Sequence, residues 1–174
     1  MRLAGTEAID QEPNILVVDD EPEVHEDFRR CLAPRGRSHP NLDALRRSLF
    51  CVDAPAPPVP RVFQLEYALT GKEAADLARE RLRQERSFAL AFVDMRLIGD
   101  WNGVQTIRAL WSVDARMEMV LCTAYSDFAW GRVSADVGST GNLHLLRKPF
   151  EPERVRRYAD ALCKKWQLAK RRRR

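Results

Sequence analysis

The sequence lacks long hydrophobic runs and the residue spacings of a metal or disulfide framework. No apolar stretch in its 174 residues approaches the roughly 20 residues needed to cross a bilayer. Its four cysteines form no Cys-x-x-Cys pair and its three histidines are scattered, which argues against a zinc site or paired disulfides. The N-terminus carries Glu7, Asp10 and Glu12 and lacks the layout of a signal peptide. We therefore expect a cytoplasmic protein with free thiols.

The composition is that of one ordinary globular domain. Hydrophobic residues make up 45% of the chain and charged residues 31%, and the length suffices for a proper core. The formal charge of +4 comes from Lys170 and the arginines 171–174, without which the charges sum to −1. Such a basic tail is usually a solvated terminus, although nucleic acid or an anionic membrane would attract it. No helix-turn-helix follows, so we do not expect sequence-specific DNA binding.

Four apolar runs end on side chains that suit phosphate chemistry. Residues 88–93 have no polar alternation, which predicts a strand buried on both faces of a parallel sheet, and they end at Asp94. Ligand sites in such sheets lie beyond the carboxyl ends of the strands. Of the other three runs, the first ends at the acids Asp19 and Asp20, the second at the hydroxyl of Thr123 and the third at the cation Lys148.

These strand ends predict a magnesium site beside a phosphoryl acceptor. Three close carboxylates, Asp19, Asp20 and Asp94, raise one another's pKa unless a cation lies between them. Mg²⁺ accepts a few carboxylate oxygens and leaves room for a phosphate oxygen. The metal and Lys148 would neutralise a phosphoryl group on Asp94, and Thr123 would donate a hydrogen bond to it.

Taken in order, these motifs resemble the receiver domain of bacterial two-component response regulators, the CheY-like domains. The resemblance covers roughly residues 13–163 and includes segments similar to receivers that are fused to histidine kinases or cyclic-dinucleotide enzymes. The residues that carry it are Asp19-Asp20, Asp94, Thr123-Ala124 and Lys148-Pro149-Phe150.

The resemblance implies a role for each matching residue. Asp94 is the phospho-acceptor, and Mg²⁺ is held by Asp19, Asp20, Asp94 and the backbone carbonyl of Arg96. Thr123, Ala124 and Lys148 bind the phosphoryl oxygens. The Lys148–Pro149 peptide bond is expected to be cis. Arg96 and Tyr125 occupy the positions that tune the lifetime of the phosphoryl group.

One position departs from the family pattern. Many receivers carry Tyr or Phe three residues before the lysine, where the ring turns inward on phosphorylation, but this chain has Leu145 there. We therefore expect the switch region to include Leu145 and residues 124–130, with Tyr125 and Phe128.

The alternation of strands and helices predicts a doubly wound five-stranded parallel sheet, flavodoxin-like, of order 2-1-3-4-5. Five helices are expected, at about 22–32, after Thr70, at 104–111, at 126–137 and at 151–170. Thr70 and Glu73 form the pattern of a capping box. The buried stripe of that second helix is predicted to be Ala74, Leu77, Ala78 and Leu82.

The predicted boundaries are a flexible leader at 1–12, the receiver domain at 13–163 and a basic helical tail or linker at 164–174. A proline-rich insertion at 33–61 separates the first helix from the second strand. Its short apolar pattern (Leu45, Leu49, Phe50) is expected to pack on the domain's own edge, with a partner or a second copy as alternatives. The last helix extends past the domain and is a candidate signalling helix.

We therefore expect a phosphorylation-dependent switch. A histidine kinase or phosphotransfer protein would phosphorylate Asp94, and the domain would signal through a protein–protein contact face. It would have no enzymatic activity beyond phosphorylating and dephosphorylating itself.

A haloacid-dehalogenase-like phosphatase is disfavoured, because Arg96 stands where that class carries a second acid. A degenerate receiver acting as a docking or dimerisation module is the alternative. The sequence leaves open the kinase, the target, homodimerisation and whether the chain stands alone.

Overall fold

The computed structural model describes residues 12–34, 61–124 and 141–172. Within these ranges five strands form one parallel sheet in the order β2-β1-β3-β4-β5, which confirms the predicted topology. The strands are β1 (Asn14–Val18), β2 (Gln64–Ala68), β3 (Phe88–Asp94), β4 (Glu118–Thr123) and β5 (Leu143–Arg147). The helices are α1 (Pro22–Leu32), α2 (Gly71–Arg83), α3 (Gly103–Val113) and α4 (Pro152–Arg171).

The sheet is buried on both faces, which explains why its central strands are apolar throughout. Successive side chains of β1 point to opposite faces, so Ile15 and Val17 join a core with α1 and α4. Leu16 and Val18 join a second core with α2 and α3. All seven residues of β3 are buried, so Asp94 lies at the end of a rigid central strand.

Helix capping departs from the sequence prediction at α2. The Thr70 hydroxyl accepts a hydrogen bond from the Glu73 N–H at 3.2 Å, as predicted. The Glu73 carboxylate, however, accepts from the N–H of Leu69 at 2.8 Å rather than from Thr70, so the box is not reciprocal. A complete capping box begins α3 instead, where Asn102 and Gln105 each bond the other's backbone N–H.

One predicted feature of helix packing needs correction. Leu82 is 36% exposed and lies outside the buried stripe of α2, because it points away from the sheet. The packed part of α4 continues beyond residue 163, since Trp166 is buried in the core shared with α1. The Gln167 side chain also accepts a hydrogen bond from Arg61 at 3.0 Å, which ties this part of α4 to the chain before β2.

The thiols in the described ranges are free, as expected. Burial raises the pKa of Cys31 and Cys163, the latter to about 12, so these thiols remain protonated at neutral pH. No helix in the described part of the chain is long and apolar enough to span a membrane.

Several predictions concern residues outside the described ranges. They include residues 1–11 of the predicted leader, most of the insertion, the helix at 126–137 and the last two arginines. Tyr125 and Phe128 of the predicted switch region also lie there.

Candidate functional site

Three charged side chains meet at the carboxyl edge of the sheet. The ammonium of Lys148 lies 2.8 Å from Oδ2 of Asp19 and 2.7 Å from Oδ1 of Asp94. Asp19 follows β1, Asp94 ends β3, and Lys148 follows β5. The lysine therefore reaches across β4 to Asp94, and across β4 and β3 to Asp19. The structure thus brings together three of the predicted site residues.

Backbone N–H groups hold the remaining oxygens of both carboxylates. The N–H of Arg96 donates to Oδ2 of Asp94 at 2.6 Å, and the N–H of Glu21 donates to Oδ1 of Asp19 at 3.1 Å. Because the following turns supply these donors, each carboxylate has a fixed orientation.

Lys148 is itself fixed at its backbone. Its N–H donates to the carbonyl of Thr123 at 2.7 Å, and the Lys148–Pro149 peptide bond is cis, as the resemblance implies. Burial lowers the pKa of Lys148, but the hydrogen bonds to Asp19 and Asp94 outweigh it, so this pKa lies above its ordinary value of 10.5. The ammonium therefore stays charged at neutral pH.

The remaining phosphoryl-binding candidates lie on the neighbouring strand. β4 pairs with both β3 and β5, with Cys122 level with Asp94 and Thr123 level with Arg147. Thr123 is buried and Ala124 is exposed at the same edge of the sheet. Burial raises the pKa of the Cys122 thiol beside Asp94, so this thiol stays protonated at neutral pH.

The donor set suits Mg²⁺ in part. Carboxylate oxygens of Asp19 and Asp94 converge on one cation, which here is the ammonium of Lys148. Asp20 is half-buried and follows Asp19 directly in the chain, and its place among the metal ligands stays a prediction. Among the residues that the structure describes, no set of three or more Asp, Glu, His or Cys side chains is arranged to hold a metal ion. Two carboxylates remain, and Mg²⁺ often binds through one or two together with water and phosphate oxygens.

Leu145, where many receivers carry an aromatic residue, is half-buried and packs against the core on the α2/α3 face. Its backbone carbonyl accepts a hydrogen bond from the Tyr158 hydroxyl of α4 at 3.0 Å. The Tyr158 ring lies 6.2 Å from the ring of His144. The tyrosine that contacts β5 thus belongs to the last helix, whereas many receivers carry an aromatic residue in the strand itself.

Three phenylalanine rings below the site were not recognised from the sequence as a unit. The Phe28 ring of α1 lies 4.8 Å from that of Phe92 and 5.1 Å from that of Phe150, both tilted. We call Phe28, Phe92 and Phe150 the aromatic floor. The available signal was position, since Phe92 precedes Asp94 by two residues and Phe150 follows Lys148 by two.

A second charged cluster lies at the opposite, amino-terminal end of β4. Oε2 of the buried Glu118 lies 2.9 Å from the ammonium of Lys165 and 3.2 Å from Nε2 of His144. Lys165 also donates to the carbonyl of Gly141 at 2.8 Å. These groups join β4, β5 and α4 far from Asp94, so they stabilise the fold rather than the site.

Comparison with solved structures identifies the fold. A CheY-like response regulator receiver domain protein from Methanospirillum hungatei matches with a TM-score of 0.59, covering 90% of this chain and 98% of its own, at 17% identity. A response regulator receiver protein from Sinorhizobium medicae gives 0.60, with 90% and 98% covered, at 18% identity. A structure described as adenylate cyclase from Rhodopirellula baltica gives 0.64, with 93% and 95% covered, at 17% identity.

No family model and no curated protein sequence matches the chain. The fold is thus a flavodoxin-like α/β sandwich with charged residues at the carboxyl edge of its sheet. More narrowly, it is the fold of the CheY-like response regulator receiver domains, which confirms the resemblance at the level of structure.

Proposed function

We propose that this protein is a phosphorylation-dependent signalling switch of a bacterial two-component system, with Asp94 as the phospho-acceptor. The observation that carries the proposal is the contact of one ammonium, that of Lys148, with both Asp19 and Asp94 at the carboxyl edge of a receiver fold. Such an edge is where open α/β sheets bind ligands. A lysine fixed beside an acceptor carboxylate is placed to neutralise charge arriving on that carboxylate.

The proposed donor is a phosphohistidine on a histidine kinase or phosphotransfer protein. One carboxylate oxygen of Asp94 attacks phosphorus, and the new O–P bond forms as the P–N bond of the donor breaks. The electron pair of that bond stays on the imidazole, which takes a proton from water. The product is an acyl phosphate on Asp94, a covalent aspartyl intermediate of known type.

Each neighbouring residue then has a defined task. Lys148 neutralises one phosphoryl oxygen, and Thr123 donates its hydroxyl to another, with Ala124 beside it. Mg²⁺ would supply further neutralisation of the phosphoryl charge, and its proposed ligands are Asp19, Asp20, Asp94 and the Arg96 carbonyl. The N–H of Arg96, which donates to Asp94, keeps the acceptor oriented.

The switch itself follows from the change of partner at Lys148. Before phosphorylation the lysine binds both Asp19 and Asp94, and afterwards it binds the phosphoryl group. This difference in contacts biases two arrangements of β5 and α4, which lie on either side of Lys148 in the chain. Output is a protein–protein contact with a downstream target, and the protein has no catalytic activity beyond its own phosphorylation and dephosphorylation.

A degenerate receiver that acts as a docking or dimerisation module is the second candidate. Leu145 favours it, because an aliphatic side chain cannot make the aromatic movement that couples phosphorylation to output in many receivers. A phosphatase of the haloacid dehalogenase type is disfavoured, since Arg96 offers no carboxylic acid two residues after Asp94.

The test is to incubate the protein with acetyl phosphate and Mg²⁺ and measure its intact mass. We expect the wild type to gain one phosphoryl group, Asp94→Asn to gain none, and Asp76→Asn, an exposed acid on α2, to behave as wild type. A wild type that gains no phosphoryl group and binds no beryllofluoride would support the docking module. A gain by Asp94→Asn would show that another residue is the acceptor.

A further inference from the structure

The aromatic floor occupies a defined place under the charged site. Alternate residues of a strand share a face, so Phe92 points to the same side of the sheet as Asp94. Phe28, on α1, lies between the rings of Phe92 and Phe150. Phe28 and Phe92 are each only 1% exposed, so two rings of the floor are fixed by the core.

Phe150 is the one member of the floor that does not belong to a helix or strand. It is half-buried, lies two residues after Lys148 and packs on the α1/α4 core through the tilted contact with Phe28. The backbone of the lysine is itself fixed, because the Lys148 N–H donates a hydrogen bond to the Thr123 carbonyl. The chain is therefore anchored both at Lys148 itself and at residue 150.

Such anchoring matters because lysine has a long and flexible side chain. Its ammonium makes short contacts to two carboxylates only if its backbone stays at one distance from the ends of β1 and β3. Small displacements of a charged group weaken its interaction with reacting atoms strongly.

We propose that Phe150 is a positioning residue for Lys148. The contact of its ring with Phe28 holds residues 148–150 against α1, and this holds the ammonium between Asp19 and Asp94. The inference rests on the proposed function, because it assigns Phe150 a part in binding the phosphoryl group.

The proposal predicts that the affinities for two ligands change differently. Beryllofluoride mimics the phosphoryl group and needs the ammonium of Lys148, so Phe150→Leu should weaken its binding about tenfold. Mg²⁺ competes with the ammonium for the same carboxylate oxygens, so its affinity should stay the same or rise. A role in folding alone would not separate the two affinities in this way.

The experiment measures Mg²⁺ binding by titration calorimetry and beryllofluoride binding by ¹⁹F NMR, on the full chain. Phe150→Tyr keeps the ring contact and should bind both as wild type does. Phe88→Leu is the matched control, since Phe88 is 1% exposed at the other end of β3 and on the opposite face. It should lose stability without changing either affinity. If Phe150→Leu does not fold, Phe28→Leu tests the same contact from α1.

Two outcomes would overturn the proposal. One is a Phe150→Leu variant whose beryllofluoride affinity equals that of the wild type. The other is a parallel loss of both affinities, as expected if the ring only supports the fold. Failure of the proposed function is distinguishable from both, because then the wild type itself would bind no beryllofluoride in the presence of Mg²⁺.

Discussion

Replacing Lys148 by methionine removes the cation that Asp19 and Asp94 share. Methionine keeps most of the apolar stem, so the change isolates the ammonium group. The side chains of the two acids are only 4% and 10% exposed, so water does not replace the lost contacts fully. We expect Lys148→Met to be destabilised in the absence of divalent cations.

The size of the loss can be worked out from the contacts. At 2.7–2.8 Å and an effective dielectric constant of about 20, Coulomb's law gives roughly 6 kcal/mol for each contact of the ammonium. Desolvation and the side-chain entropy of the lysine offset much of this energy. Breaking a buried pair on one side costs about 3–5 kcal/mol, and the low end applies because the Lys148 side chain is 23% exposed. We therefore expect a loss of about 3 kcal/mol.

Mg²⁺ should recover most of this loss. A cation at a concentration 100 times its dissociation constant stabilises the folded state by about 2.7 kcal/mol. The wild type should gain less from the same concentration, because its ammonium already occupies the carboxylate oxygens. Lys148→Met should therefore be less stable than the wild type without Mg²⁺ and should gain more stability than the wild type when Mg²⁺ is added. Both expectations come from the same contacts of Asp19 and Asp94.

Urea denaturation with EDTA and with Mg²⁺ measures both effects. Lys72→Met is the control, because the Lys72–Asp100 pair is exposed on both sides (57% and 70%) and should contribute little to stability. The reasoning is refuted if Lys148→Met is as stable as the wild type in EDTA. It is also refuted if Mg²⁺ stabilises the variant no more than the wild type.

Three further predictions follow from the same contacts. Because its pKa is raised, Lys148 stabilises the folded state fully below about pH 10.5, and this stabilisation is lost as the pH rises further. The difference in unfolding free energy between wild type and Lys148→Met should therefore shrink only in alkali. A difference that shrinks between about pH 9 and pH 7 would contradict this. Gly103→Ala would place a Cβ 2.3 Å from the Asp94 carbonyl oxygen and should cost about 1–3 kcal/mol in urea denaturation. Gly141→Ala, whose added Cβ would meet no atom of the described residues within 4 Å, should be neutral, and equal stabilities of the two variants would refute the clash. Tyr158→Phe loses a 3.0 Å hydrogen bond to a β5 carbonyl and should cost about 1 kcal/mol, measured by thermal unfolding, and unchanged stability would show that water replaces the bond.

The site was predictable because each of its charged residues follows a strand that can be read locally. Apolar runs predict the strands, and the chain direction places the residues after them at one edge of the sheet. The contact of Asp94 with Lys148, although 54 positions separate them, therefore follows from strand order alone. The role of Asp20 does not follow from strand order, because which of two adjacent acids points into the site depends on the turn after β1.

Features that depend on packing between helices and strands could not be predicted. Glu118 begins an apolar strand and looks like an exposed first residue, yet it is buried because Lys165 of α4 reaches it from 47 positions away. The capping box at Asn102 and Gln105 is different, since the residue pattern was present in the sequence. The capping box could have been predicted from the sequence but was missed. The contacts of Glu118, in contrast, leave no pattern in the neighbouring sequence.

The contacts of α4 limit how the switch can produce an output. Arg156 is buried and donates to the backbone carbonyls of Cys31 and Ala33 at the end of α1. Lys165 is bound to Glu118, and Trp166 lies in the core. Because these contacts act along most of the helix, a change at Lys148 must move α4 together with α1 or leave it in place. We therefore expect the proposed signalling extension to begin after Trp166, where the helix first leaves the core.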